Sequence, residues 1–189
     1  MKKLLSLYLT IICLLFTYFN SFALKHDICS ISLDNVNNAL IENYSFGTYN
    51  VTNGWIRVED FVSSDSYLYC ANGEQTMYKP NNILVKYGTN RYSLNEIQIF
   101  AESINFALKM QSSQMPIKPK QVIGGGSFTS SKIPLISFNI EFDDGTYQKQ
   151  YYIVKDYGYV MVSEMVNHLE NSSIADSVAQ GILDSFRFN

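Results

Sequence analysis

From Ile136 to Phe142 the apolar residues fall at every second position, with Ser137, Asn139 and Glu141 between them. That period belongs to a half-buried strand, because side chains on a pleated strand alternate between its faces. Asp143-Asp144-Gly145-Thr146 follows, and Asp144-Gly145 suits a two-residue type I′ turn, which needs positive φ at both central positions. The spacing predicts a hairpin with Phe142 facing Tyr147, Ile140 facing Lys149, Phe138 facing Tyr151 and Ile136 facing Ile153, all on one core face. Lys149 is the exception there, placed to lay its methylene stem on apolar surface and keep its charge in water. A third strand, Tyr159 to Val166, follows a turn at Asp156-Tyr157-Gly158 and is largely apolar on both sides, so both of its faces need cover.

Helices are available to cover it. Ser93 to Met110 opens with Ser93 and Glu96 in capping-box spacing and carries Leu94, Ile97, Ala101, Ile104 and Leu108 along one stripe. Near the C-terminus Ser172 or Ser173 caps a second helix with Ile174, Val178, Ile182 and Phe186 on one side. Upstream, Leu33, Val36 and Leu40 stand at helical spacing and predict a short helix from Ser32 to Asn43. Tyr44 to Val51, Trp55 to Val58, Ser66 to Ala71 and Ile83 to Tyr87 read as strands, the first two joined by an Asn53-Gly54 turn. Residues 111 to 126, with Pro116, Pro119 and Gly124-Gly125-Gly126, read as a loop running into a strand edge or bulge. Two amphipathic helices and a two-faced antiparallel sheet predict an α+β fold with the sheet sandwiched between helices.

Several short stretches add a resemblance: Asn53-Gly54-Trp55, Asn82-Ile83-Leu84-Val85, the capped helix after it, Tyr151-Tyr152-Ile153-Val154 and Asp184-Ser185-Phe186-Arg187-Phe188. From about residue 44 to residue 189 the chain resembles the PsbP-like proteins, DcrB-like exported bacterial proteins among them. The resemblance implies an antiparallel sheet of about six strands between helices. Its members range from photosystem accessory subunits to envelope proteins and secretion-effector chaperones, so it implies a fold more than a role.

The first residues change the picture of where the chain works. Lys2-Lys3, an apolar run from Leu4 to Phe19 and Ser21-Phe22-Ala23 read as a bacterial secretory signal cut after Ala23, too short for a spanning helix. The expectation is a single domain, residues 24 to 189, in the periplasm or secreted, with no stable membrane insertion after cleavage. Losing Lys2 and Lys3 lowers the 14 basic side chains to 12 against 17 acidic ones, a formal balance of minus five without a basic run. Nucleic acid is a poor partner for that surface. Cys29 and Cys70 would then meet an oxidising compartment, which predicts a disulfide between them, the alternative being two separate buried thiols.

Candidate chemistry is thin. His26 and His168 sit in no motif, and Gly125-Gly126-Ser127-Phe128 lacks the last glycine of a nucleophile elbow. Gly124-Gly125-Gly126 lacks the Lys-Ser/Thr of a phosphate loop, and Asp143-Asp144 lacks the spacing of a calcium loop. No cofactor or metal is implied, and an enzyme is not expected. Tyr147, Tyr151, Tyr152, Tyr157 and Tyr159 crowd one hairpin, with Tyr157 and Tyr159 beside a turn glycine expected to be exposed. Asp143, Asp144, Tyr157 and Tyr159 are therefore the candidate partner-binding residues. The partner expected is another protein: a basic or membrane-delivered toxin if this is an immunity protein, or a subunit of an envelope complex if it is an accessory protein. A small hydrolase is the remaining alternative.

Overall fold

The computed structural model describes residues 39–63, 65–74, 79–111, 119–168 and 172–189. The described elements are β1 (Leu40–Tyr44), β2 (Gly47–Val51), β3 (Trp55–Ser63), β4 (Ser66–Ala71), β5 (Asn82–Thr89), α1 (Ile97–Gln111), β6 (Pro119–Phe128), β7 (Pro134–Phe142), β8 (Tyr147–Lys155), β9 (Gly158–Val166), α2 (Ser172–Ser185) and β10 (Arg187–Phe188). Strands β3 to β9 form one seven-stranded antiparallel sheet in the order β3-β4-β5-β9-β8-β7-β6, and β1, β2 and β10 form a small sheet around β2. No helix among the described residues is long and apolar enough to cross a membrane.

β9 lies between β5 and β8 and is buried at all nine positions, as its two apolar faces require. One face meets α2 and the small sheet. There Val178, Ala179, Ile182, Leu183 and Phe186 pack with Ile83, Val85, Ile153, Val160 and Val162, and with Phe46, Tyr49 and Val51 of the hairpin β1–β2. The other face meets α1, whose Phe100, Ile104 and Leu108 pack on Leu84, Ile136, Phe138, Ile140, Tyr152, Tyr159 and Met161. Each Val, Leu, Ile, Phe or Met side chain among them, withdrawn from water, contributes about 1.5–3 kcal/mol. The connection from β5 to β6 carries α1 across three intervening strands, which is how one helix reaches from the sheet's middle to its edge.

The start of α1 is as the capping pattern predicts. Glu96 Oε2 accepts from the Ser93 backbone N–H at 3.0 Å and from Ser93 Oγ at 2.9 Å, and a 3-10 turn at Leu94–Glu96 leads into the helix. These donors hold the Glu96 carboxyl below its ordinary range. Asp156, in the turn between β8 and β9, takes the next free donor, Leu94 N–H, at 2.8 Å.

Five expectations need correction. Leu40 to Asn43 is strand, not helix: β1 pairs with β2 from Leu40↔Val51 to Tyr44↔Gly47, and the side chains alternate, Ile41 exposed and Glu42 buried. Leu33 and Val36, the rest of that helical pattern, lie outside the described residues. Tyr44 to Val51 is accordingly not one strand but the end of β1, a Ser45-Phe46 turn and β2. Pro119 to Phe128, most of it read as the end of a loop running into a strand edge, is a full strand at the edge of the sheet. The buried side of α2 runs through Ala175, Val178, Ala179, Ile182 and Leu183, leaving Ile174 54% exposed.

The fifth correction is register. Phe142 N–H bonds Thr146 C=O and Gly145 N–H bonds Phe142 C=O, so the loop is the three residues Asp143-Asp144-Gly145, with Gly145 at φ +85°. That is the three-residue hairpin loop in which a glycine takes the left-handed position. The pairing becomes Ile136↔Tyr152, Phe138↔Gln150 and Ile140↔Gln148. A one-residue slip turns a strand over. Hence Gln148 and Gln150 are buried on the α1 face, where Tyr152 Oη donates to Gln150, Gln150 Nε2 to Gln148 and Gln148 Nε2 to Ser163 Oγ. Tyr147, Lys149 and Tyr151 move to the α2 face.

Candidate partner-binding site

β6 ends the sheet, and its glycines fall at a meaningful register. Gly124 pairs with Phe138 and Gly126 with Ile136, so both lie on the face that α1 covers. At those positions β6 offers no side chain to the helix. The space left is a groove of about 550 Å³ between the first half of α1 and the sheet edge. Leu94, Ile97 and Ala101 line the helix side, Gln98, Glu102 and Asn105 its rim, and Ile136 and Phe138 its floor. Phe128 stands 70% exposed at one end. The Phe138 ring lies close over Gly124, where a Cβ would come within 3.0 Å of it, while a Cβ at Gly126 would meet nothing nearer than Leu135 C=O at 3.9 Å.

Glu102 is the one ionisable side chain among the described lining residues, and Gln98 Nε2 donates to it at 3.2 Å. A nucleophile with an adjacent base does not occur in this lining. Among the described residues no group of three or more His, Cys, Asp or Glu is placed to hold a metal ion. The groove offers a ligand apolar walls, a few amide and carboxyl groups at the rim and, among the described residues, a strand edge with no strand beside it.

The predicted site residues do not come together. Asp143 and Asp144 are exposed in the β7–β8 loop. Burial opposes ionisation of Asp144, but Thr146 N–H at 3.0 Å and Thr146 Oγ at 2.6 Å hold its carboxyl below the ordinary value. Tyr157 is 61% exposed in the β8–β9 turn, at φ +59°, its backbone pinned to Asn90 and Tyr92. The two turns sit at opposite ends of nine-residue β8, about 30 Å apart at strand rise. Tyr157 shares the groove's end, because its neighbour Asp156 holds Leu94, while Asp144 lies at the far end beside the start of β6.

Tyr159 is not exposed. It is 6% accessible, packed on Phe100 and Tyr152, because Gly88 pairs with it on β5 and its ring lies over that glycine, 2.4 Å from where a Cβ would be. Burial pushes its phenol up to about 12. Cys70 is buried with its thiol pushed up to about 11 by desolvation, and Cys29, its expected partner, lies outside the described residues, as does His26. His168 keeps Nε2 buried without a hydrogen-bond partner among the described residues.

Two polar clusters escaped the sequence pattern. Glu164 of β9 is fully buried beneath α2, with neither carboxyl oxygen hydrogen-bonded among the described residues. It faces Lys149 in register, and Lys149 Nζ in turn pairs with Asp176 of α2. Burial, reinforced by the Asp176 carboxyl and opposed by Lys149, pushes Glu164 up to about 8. Its signal was present: a lone carboxylate in a strand with both faces covered. The other cluster joins the small sheet to the large one. Tyr44 Oη donates to buried Glu42 at 2.5 Å, Arg57 Nη1 donates to Tyr44 Oη at 3.1 Å, and Tyr49 and Tyr69 share a hydrogen bond of 2.7 Å.

No protein-family model matches the sequence, and no curated protein matches it. Among solved structures, the cyanobacterial PsbP (CyanoP) from Synechocystis is similar with a TM-score of 0.55 at 11% identity, over 86% of this chain and 99% of that one. A variant of the protein Mog1 is similar at 14% identity and a TM-score of 0.43, over 80% of this chain and 96% of its own. The likeness to CyanoP shows a PsbP-like fold.

Proposed function

We propose that this chain is a non-enzymatic protein-binding module of the periplasm, which holds another protein in the groove between α1 and the glycine edge of β6. One observation carries the proposal: two successive β6 positions on the α1 face, Gly124 and Gly126, between Val122 and Phe128, are empty of side chains and leave an apolar groove open beside a strand edge. A lining without a nucleophile and base supports binding over hydrolysis. The exported, acidic character expected from the sequence suits capture of a basic partner. In the most concrete form the chain is a DcrB-like exported immunity protein that neutralises a periplasm-acting toxin. As an accessory subunit of an envelope complex it would use the same groove.

The test is capture from envelope extract with the wild-type chain and Gly126→Val side by side. The expected result is a protein retained by the first and lost from the second, with equal thermal stability or better in the variant. A single soluble toxin among the captured proteins identifies the immunity role, and a membrane complex the accessory one. Equal retention by both chains would reject the groove as the binding site.

A further inference from the structure

We propose that the groove's occupant is an extended, basic segment of the partner chain that pairs with Gly124–Phe128 as an eighth strand. This rests on the groove being the binding site and adds what fills it. Among the described residues, the row of N–H and C=O groups on the outer side of β6 meets no strand, since β6 is the last described member of the sheet. Natural edges are usually blunted by proline, charge or a bulge. β6 has all three at its beginning: Pro119, the Lys120–Glu141 ion pair at 2.8 Å and a register shift between Pro119 and Gln121. From Gly124 to Phe128 it has none of them, and every residue there is exposed.

A helix or a closed loop satisfies its backbone internally and would leave that row unpaired; an extended segment satisfies it and itself. Its alternate side chains would then lie on the α1 side, against the space that Gly124 and Gly126 leave empty. Charge completes the description. Glu102 lines this space, exposed and bonded to neutral Gln98, so a Lys or Arg on the incoming segment answers a carboxylate already in place. The proximity of Leu94, Ile97 and Ala101 selects apolar residues for the inward positions beside that cation.

The test pans a displayed library of short random peptides against the exported protein. Selected peptides are synthesised twice, once plain and once with alternate backbone amides N-methylated. The expected peptides carry a Lys or Arg among apolar residues and slow amide exchange within Gly124–Phe128. They lose about tenfold or more in affinity on N-methylation, a difference of about 1.4 kcal/mol. Glu102→Gln should weaken the plain peptides several-fold and leave variants with Gln in place of their cation unchanged. If peptides protect this segment but tolerate N-methylation, strand pairing is wrong while groove binding stands. Peptides that protect another surface, or none selected at all, would sink both. A self-associated form that protects the same amides and disappears in Gly126→Val would make a second copy the occupant and overturn the proposal.

Discussion

The two faces of the sheet are covered to different degrees. On the α2 face a helix and a three-stranded sheet together cover the core cluster, and the cover extends to a carboxyl group, Glu164, held without a hydrogen-bond partner among the described residues. On the α1 face one helix covers the middle of the sheet, and at the β6 edge two glycines leave the cover incomplete. On the function proposed above, the more completely covered face serves stability and the less covered one recognition, because apolar area already buried in the core is not offered to a partner.

The sharpest way to break this contrast is to truncate a side chain on each face. Phe186→Ala, at a fully buried position on the α2 face, should lower the unfolding free energy by about 3–5 kcal/mol in denaturant titrations. Ile97→Ala, half-buried at the groove, should cost no more than about 1 kcal/mol. Comparable losses at the two positions would erase the distinction.

A second effect belongs to the closed face alone. Glu164 has an ordinary carboxyl pKa near 4.5 when the chain is unfolded and about 8 when folded. Between those values the folded state holds the extra proton, so stability falls as pH rises through the window, by about 1.4 kcal/mol per pH unit at most. Below the window both states are protonated, stability is at its full value and no longer changes with this group; above it both are ionised and the loss is complete. Glu164→Gln should remove this slope, so thermal midpoints of variant and wild type diverge from pH 5 towards pH 8. Parallel profiles would mean that Glu164 is charged in the folded protein.

Gly126→Val should fill the open face instead. Its backbone needs no positive φ and a Cβ there meets only ordinary contacts, so the substitution should raise stability by about 0.5–1 kcal/mol while weakening partner binding. Gly124→Val should not be so benign, given the Phe138 ring over it.

The smallest effects are expected at the turns. Asp144→Lys and Tyr157→Ala, both exposed, should change stability by less than about 0.5 kcal/mol. Binding separates them: Tyr157→Ala, at the groove's end of the sheet, should weaken the complex, and Asp144→Lys, at the far end, should not. The reverse order would move the interface to the β7–β8 loop.

Local patterns were legible where the deciding forces are local. The start of α1 follows from Ser93 and Glu96 three residues apart, and the identity of β9 as a two-faced core strand follows from its own unbroken apolar run. β1 was not legible, because Glu42 enters the interior only through Tyr44 and Arg57, and Arg57 lies on another strand. Three consecutive glycines resembled a loop, since nothing within them says that a paired β7 stands on one side. Tyr159 looked exposed beside its turn because the glycine that makes room for its ring is 71 positions away in the chain, at Gly88.

By itself, then, the order of residues determined the class of fold: side-chain direction along a strand or helix is set by the backbone's own period, and the alternation at Ile136 to Phe142 and the stripe on α1 needed no partner to be read. Tertiary structure decided the register, the edge and the groove. A three-residue loop in place of a two-residue one turned β8 over and sent Lys149 to the α2 face, opposite Glu164. The position of β6 outside β7 made an edge of Gly124–Phe128. Those outcomes depend on which strands meet, and the energy of a meeting belongs to both partners and is written in neither one alone.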